Sequence, residues 1–380
     1  MKNRLRIWLK DGYTVEVIHR LGHEFSRETG IELDITVVDE VTAHDAFVHA
    51  DAADRPDLTT VPFWYLPEYV KSGYIRSLAD TPIDIDLGGY HPAAVAAMTV
   101  ADEPWAVPHT LIGGMLAIRK DLVDEVGLEM PTSPTTALEV TARLSEHAGI
   151  PGLLVRGAPE FPSFGTYAGW AWSDGVSLLD DLPEVVAETL APLIDHLRAY
   201  GPADAAELDY IVAGERFLRG DAAALFDTTG WGNYLEDPAR SAVAGDVDYC
   251  VLRGKHAAAQ FLYSEGLAVT AWSDRLEEAA SLIAWRHSDP ILQREVLEQH
   301  RFDHPRLDVR GWGATARHAK QRGMDRYLAT LSEAWDAIDP EYFPRREDFA
   351  ERGRAVALAI SSAIAGRSDL LTALKQAGSR

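Results

Sequence analysis

The hydrophobic positions change period twice within the first forty residues, and the order of those changes predicts a fold. Leu5 to Leu9 is a short apolar run of strand length, after which Val15, Ile18, Leu21 and Phe25 recur at helical spacing until Gly30 supplies a C-terminal cap. Ile31, Leu33, Ile35 and Val37 then alternate with more polar residues, the period of a half-buried strand. Strand, helix and strand in that order predict a parallel pair with a right-handed crossover. A helix near Ala43 to Ala53, a strand at Leu58 to Val61 and a helix ending at Gly73 extend the series.

A fresh series starts beyond Pro108-His109-Thr110 with a strand at Met115 to Ile118. Ser133 and Pro134 mark a helix start, the first as cap and the second at the first helical position, and that helix runs to about Gly149. Leu153 to Val155 reads as a strand, and helices are predicted near residues 183–199 and 209–219. A helix stop at Gly220 leads into an apolar run from Ala222 to Phe226. Glu265 to Val269 reads as another buried strand, followed by a helix capped by Ser273-Asp274 with Leu276, Ala280, Ile283 and Ala284 on one face. Beyond Gly313 the pattern is helical to the end, with a stop at Gly366 and a last start at Ser368-Asp369.

At 380 residues the chain exceeds the size at which single cores stop growing, so two domains are expected, and 47% hydrophobic content supplies a core for both. Lys and Arg total 36 against 59 Asp and Glu, a formal net charge of -23. That field repels phosphate backbones and anionic lipid, which argues against nucleic acid and membrane surfaces as partners and favours a neutral or cationic ligand. Cys250, the single cysteine, has no intramolecular partner and reads as a small buried hydrophobe. No apolar stretch approaches the ~18 residues that span a bilayer. The N-terminus runs directly into the first strand without an apolar signal region, so the expectation is either a cytoplasmic chain or an extracellular or periplasmic one, anchored or free, whose leader is missing.

Two aromatic clusters, Phe63-Trp64-Tyr65 and Trp231-Gly232-Asn233-Tyr234, follow predicted strands, one in each half. In open α/β sheets ligands sit in the crevice at the carboxyl ends of strands, and large aromatics are costly to leave bare there. The chain contains no G-x-S-x-G elbow, P-loop, H-E-x-x-H, or G-x-G-x-x-G after a strand. His19 with His23 and His300 with His304 share helical spacing without a matching Cys or Glu cluster, and Asp84-Ile85-Asp86 lacks the later acidic ligand of an EF-hand loop. No catalysis, metal or cofactor is therefore expected.

Several segments, taken in order, resemble the bacterial extracellular solute-binding proteins of the maltose-binding type, which serve ABC importers. They are Phe25-Ser26-Arg27-Glu28-Thr29-Gly30-Ile31; Pro56-Asp57-Leu58 through Tyr69-Val70-Lys71-Ser72-Gly73-Tyr74-Ile75; and Trp105-Ala106-Val107-Pro108. Then come Arg119-Lys120-Asp121-Leu122 with Gly127-Leu128 and Pro131, Phe217 to Ala223 leading to Gly230-Trp231, Gly266 to Val269, and Gly366 with Ala373-Leu374. The chain departs from the family at Ile118-Arg119, where Tyr-Asn is usual, and at Ser264-Glu265-Gly266, where paired glycines are common.

The resemblance implies an α/β, two-lobed periplasmic-binding-protein-like fold of type II, each lobe a mostly parallel sheet flanked by helices. It also implies crossing hinge segments, a ligand cleft between the lobes and closure on binding. The lobes would be residues 1–109 with 261–311, and 110–260 with 312–380. Trp64, Tyr65, Trp231 and Tyr234 would be stacking platforms for a sugar, with Phe164 and Tyr167 reaching the ligand as well. Asp11, Asp39 and Glu265 would accept its hydroxyls, and Asn233 would donate and accept. Lys10 and Glu40 read rather as solvated turn residues, and His109 as a hinge residue. The function implied is a monomeric receptor for a carbohydrate, an oligosaccharide above all, that delivers it to the permease subunits of an ABC importer and performs no chemistry. A polyamine, a peptide or another small cationic solute on the same fold is the alternative ligand, and a glycan-active enzyme or cytoplasmic sensor the alternative role.

Overall fold

The computed structural model describes residues 3–10, 13–39, 42–339, 342 and 348–378. The strands, in chain order, are β1 (Arg4–Lys10), β2 (Glu32–Val38), β3 (Leu58–Pro62), β4 (Thr99–Val100) and β5 (Glu103–Pro104), then β6 (Val107–Ile112), β7 (Gly114–Arg119), β8 (Ala224–Thr228), β9 (Val247–Cys250) and β10 (Tyr263–Val269). Two compact units divide the chain, residues 1–111 with 263–317 and residues 112–262 with 318–380.

In the first unit one sheet runs in the order β2-β1-β3-β10-β6. β1 is parallel to β2 and to β3, as the strand-helix-strand pattern predicts, whereas β10 enters antiparallel to β3. Strand alternation turns Leu5, Ile7 and Leu9 into the core, where they join Ile18 and Phe25 of the helix Tyr13–Thr29 and Leu267, Val269, Leu282 and Ile283. Gly266 is a glycine for reasons of space. A Cβ there would lie 2.7 Å from the Met98 sulfur, 2.8 Å from the Ala106 Cβ and 3.0 Å from the Val107 carbonyl oxygen. The helix expected to reach Ala53 ends at Val48, because the chain then turns, with Asp54 N donating to Asp51 O at 2.9 Å, ahead of Pro56. Ser273 does not cap its helix directly. Arg275 is the cap residue, and the Ser273 hydroxyl donates to Asp57 at 2.8 Å while accepting from Arg275 N at 3.1 Å.

In the second unit the sheet order is β8-β7-β9, and β7 is antiparallel to both neighbours. The expectation of a mostly parallel sheet is therefore met by the first unit and corrected in the second. The parallel contribution there is Leu153 to Val155, where Leu154 N donates to Ala224 O at 2.8 Å and Phe226 N donates to Leu154 O at 3.0 Å. That segment stays a single bridge because the chain leaves at Gly157, whose N–H bonds the Leu208 carbonyl instead. Ser133 caps the helix Pro134–Ala148 as predicted, in a reciprocal capping box with Thr136. Cys250 is half-buried, and burial pushes its thiol up to about 12. Among the described residues no helix is long and apolar enough to cross a membrane.

The first unit also buries a polar network. Arg286 pairs with Glu295 at 2.9 Å, Arg301 with Asp303 at 3.0 Å, and the Tyr90 hydroxyl meets His287 Nδ1 at 2.9 Å. Burial holds His287 and His304 well below the usual histidine range, with the Arg286 charge adding to the effect, and burial also lowers His109. These imidazoles are neutral in the fold but take up a proton when unfolded. Their contribution is present above the ordinary histidine value and is lost as pH falls through and below it. Urea titrations should therefore show stability falling below about pH 6.5, by up to roughly 1.4 kcal/mol per pH unit for each proton, with a shallower slope in His304→Gln. In the second unit, a Cβ at Gly169 would fall on the Gln260 carbonyl oxygen, which is backbone and cannot rotate away. Gly169→Ala should cost about 3 kcal/mol by chemical denaturation.

Candidate functional site

The carboxyl ends of β1 and β3 and the amino end of the antiparallel β10 share one end of the first sheet, since Glu265 pairs with Pro62. Lys10, Phe63 to Tyr65, Tyr263 and Glu265 meet there. Phe63 N donates to Ser264 O at 3.0 Å and Lys10 N to the Thr60 hydroxyl at 2.8 Å, so backbone bonds fix the positions of the side chains. The Trp64 ring packs 5.0 Å from Tyr263 and 5.3 Å from Phe63, and the Lys10 ammonium lies 4.7 Å above Tyr263. Glu265 is 4% exposed and its carboxylate is 3.5 Å from His109 Nε2. Burial opposes its charge, yet Lys10, His109 and the Tyr263 hydroxyl together hold it below the usual carboxylate range.

Tyr65 is engaged elsewhere in the same unit. It stacks on His44 with centroids 4.1 Å apart, and His44 in turn lies 3.3 Å from the Tyr69 hydroxyl and 3.4 Å from Glu68. Asp39 is exposed and closes a turn, its carboxylate accepting from Thr42 N at 3.3 Å. Asp11 and Glu40 lie outside the described residues. Lys10, expected as a solvated turn residue, is buried beneath its own aromatic contact.

In the second unit β8 leads into a short turn that carries Trp231, Asn233 and Tyr234. The Trp231 ring is 5% exposed, with its six-membered ring against Gly214, Tyr210 at 4.8 Å and Tyr234 at 5.8 Å. Gly214 has no side chain because the indole fills that space. Asn233 is buried and donates to Gly230 O at 3.4 Å. The Arg240 guanidinium covers the Tyr234 ring at 4.2 Å. Phe164 and Tyr167 are each 1% exposed inside the unit, Phe164 edge-on to Phe349 and Tyr167 donating its hydroxyl to the Arg156 carbonyl at 2.7 Å.

The sequence reading missed Arg156, Asp227, Tyr210 and Phe261. Arg156 grips Asp227 through two bonds, Nε at 2.8 Å and Nη2 at 2.7 Å, and its guanidinium lies between the rings of Tyr210 and Phe261, 4.6 Å from each centroid. Both charged residues are nearly fully buried. A signal for the pair existed, because Arg156 follows the run Leu153 to Val155 and Asp227 follows Phe226, so each stands at the carboxyl end of a predicted strand. Among the described residues no group of three or more His, Cys, Asp or Glu side chains is placed to hold a metal.

Comparison with known proteins decides the family. The sequence profile described as bacterial extracellular solute-binding protein matches residues 12–288. The chain belongs to this family. It is the family whose segments the sequence resembles, and its members are substrate-binding proteins of the extracellular or periplasmic space. This solute-binding protein is 26% identical over 244 residues to a mannitol-binding protein of Pseudomonas aeruginosa, a match covering 61% of the chain and 56% of that relative. The chain thus spans little more than half the length of the curated relative. Its fold is shared with an ABC transporter solute-binding protein from Agrobacterium vitis S4 with bound D-mannitol, at TM-score 0.87 and 20% identity over 99% of this chain and 96% of that one. Maltose-bound MalE3 of T. maritima gives TM-score 0.84 and 20% identity over 99% and 98%.

Trp231→Ala should cost about 3–5 kcal/mol of stability by urea denaturation, the usual loss for a buried indole. A loss below about 1 kcal/mol would mean that the ring is not packed as described.

Proposed function

We infer that this chain is the substrate-binding receptor of an ABC importer, and that its solute is a carbohydrate or a sugar alcohol. The observation that carries the reading is the setting of the charged groups. In each unit a buried ion, Glu265 with Lys10 in one and Arg156 with Asp227 in the other, stands among aromatic rings at an end of a sheet where strands terminate. Hydroxyl-rich solutes need that combination, since C–H faces take apolar walls and hydroxyls take charge-assisted hydrogen bonds. The mannitol-binding relative and the mannitol- and maltose-bound structures support the same class.

On this reading Glu265, held ionised, accepts ligand hydroxyls, Asn233 and Arg156 donate, and Trp64 walls the solute. Ligand contacts shift the population toward the form that the permease subunits recognise. The protein acts as a monomer outside the cytoplasmic membrane and makes or breaks no bond in its solute.

A thermal-shift series with hexitols, pentitols, mono- and oligosaccharides, spermidine and short peptides tests the reading. A hydroxylated solute at about 100 times its Kd should add ~2.7 kcal/mol, and NMR should recover it unaltered. A response to spermidine alone, or a consumed ligand, would reverse the conclusion. Glu265→Gln should weaken binding of the responding solute by about 2 kcal/mol in calorimetry, the loss expected when a charged acceptor becomes neutral.

A further inference from the structure

A pyranose is held by laying its C–H face on an aromatic ring, which requires a ring face left open. In this chain most of the candidate rings already carry protein groups. The Arg156 guanidinium fills the slot between Tyr210 and Phe261. Arg240 covers Tyr234, Lys10 covers Tyr263 and His44 stacks on Tyr65. Trp231 has Gly214 against its six-membered ring and Tyr210 beside it.

What the second unit offers instead is a set of polar edges. The Arg156–Asp227 pair stands where β8 and its parallel neighbour end, the place where α/β sheets bind ligands. Buried side-chain atoms with no hydrogen-bond partner belong to residues that adjoin its members in the chain or pack on the rings beside it. Thr228 Oγ1 belongs to the residue after Asp227, and Trp231 Nε1 to the ring packed on Tyr210. Thr166 Oγ1 stands next to Gly165, which abuts Phe261. Each carries a desolvation cost that a ligand hydroxyl would relieve.

We propose that the solute is an open-chain polyol rather than a ring sugar and that Arg156 is the residue that makes this selection, a proposal resting on the receptor reading above. The guanidinium occupies the slot a pyranose would need. With Asp227 it presents donors and acceptors to vicinal hydroxyls, and Thr228 supplies one more partner. An open chain carries a hydroxyl on every carbon and bends to meet groups that are not coplanar, so it needs no bare ring face.

The experiment is calorimetry on the full chain with D-mannitol and ribitol against methyl α-D-glucopyranoside and maltose. The methyl glycoside is locked as a ring, which separates ring from chain. The wild-type protein should bind an open-chain ligand at least about tenfold more tightly than either ring ligand. The matched neutral variant Arg156→Met with Asp227→Asn, which leaves neither charge stranded, should narrow that preference about tenfold or more. Thr228→Val keeps the packing and should weaken the open-chain ligand about tenfold with an unchanged or raised melting temperature, because its hydroxyl bonds nothing in the fold. That split between affinity and stability would not follow from a merely structural threonine. Ring ligands bound as tightly as open-chain ones by the wild type, or Thr228→Val without effect on affinity, would overturn the proposal while leaving the receptor reading standing. Binding of neither class would overturn the receptor reading itself.

Discussion

The first unit depends on the entry of β10 into a sheet laid down by residues two hundred positions earlier. That strand has to run antiparallel beside β3, and it is tied on both sides, through its backbone by Phe63 N to Ser264 O and through a side chain by the Ser264 hydroxyl to Thr110 O. Gly266 lets it pass Met98, Ala106 and Val107 without a collision. Once the register Glu265 to Pro62 is set, Tyr263 lands beside Trp64 and Glu265 beside His109. The departure from the family's paired glycines therefore has a physical outcome. One position keeps the glycine that packing demands, and the other acquires a carboxylate that the surroundings keep charged.

Charge burial is organised in the same way in both units. An isolated ion in these interiors would be strongly disfavoured, so each has a counter-ion within reach and an aromatic ring beside it. Lys10 lies over Tyr263 and its charge acts on Glu265, and Arg156 pairs with Asp227 beside Tyr210 and Phe261. The rings exclude water from the pairs and supply a weakly attractive face for the cations. Such pairs add little to net stability and much to the definition of where donors and acceptors point.

Most of the scaffold was legible because it follows from local rules. The change from helical to alternating period marked the helix Tyr13–Thr29 and β2, and Gly30, Gly73, Gly149, Gly220 and Gly366, read as helix stops, all take positive φ. The aromatic clusters were visible as sequence runs, and Trp64 packs on Phe63 and Tyr263 while Trp231 packs on Tyr210 and Tyr234. Their partners were less legible. Tyr210 opens a helix and Phe261 precedes β10, and nothing near either residue announces that a guanidinium will lie between them. Phe164 and Tyr167 show the converse problem. An aromatic at a helical position reads alike whether it faces a ligand or Phe349, and only tertiary packing separates the two.

The half-buried Cys250 bears on how this molecule can be watched. It is the chain's single thiol, and burial keeps it protonated far above neutral pH, so it reacts slowly with maleimides and iodoacetamides. Thiol labelling of the wild-type chain should therefore be slow. A cysteine introduced on the exposed surface of either unit would take up fluorophores or spin labels well ahead of the native one, so a labelled position could report solute addition without first removing a residue from β9.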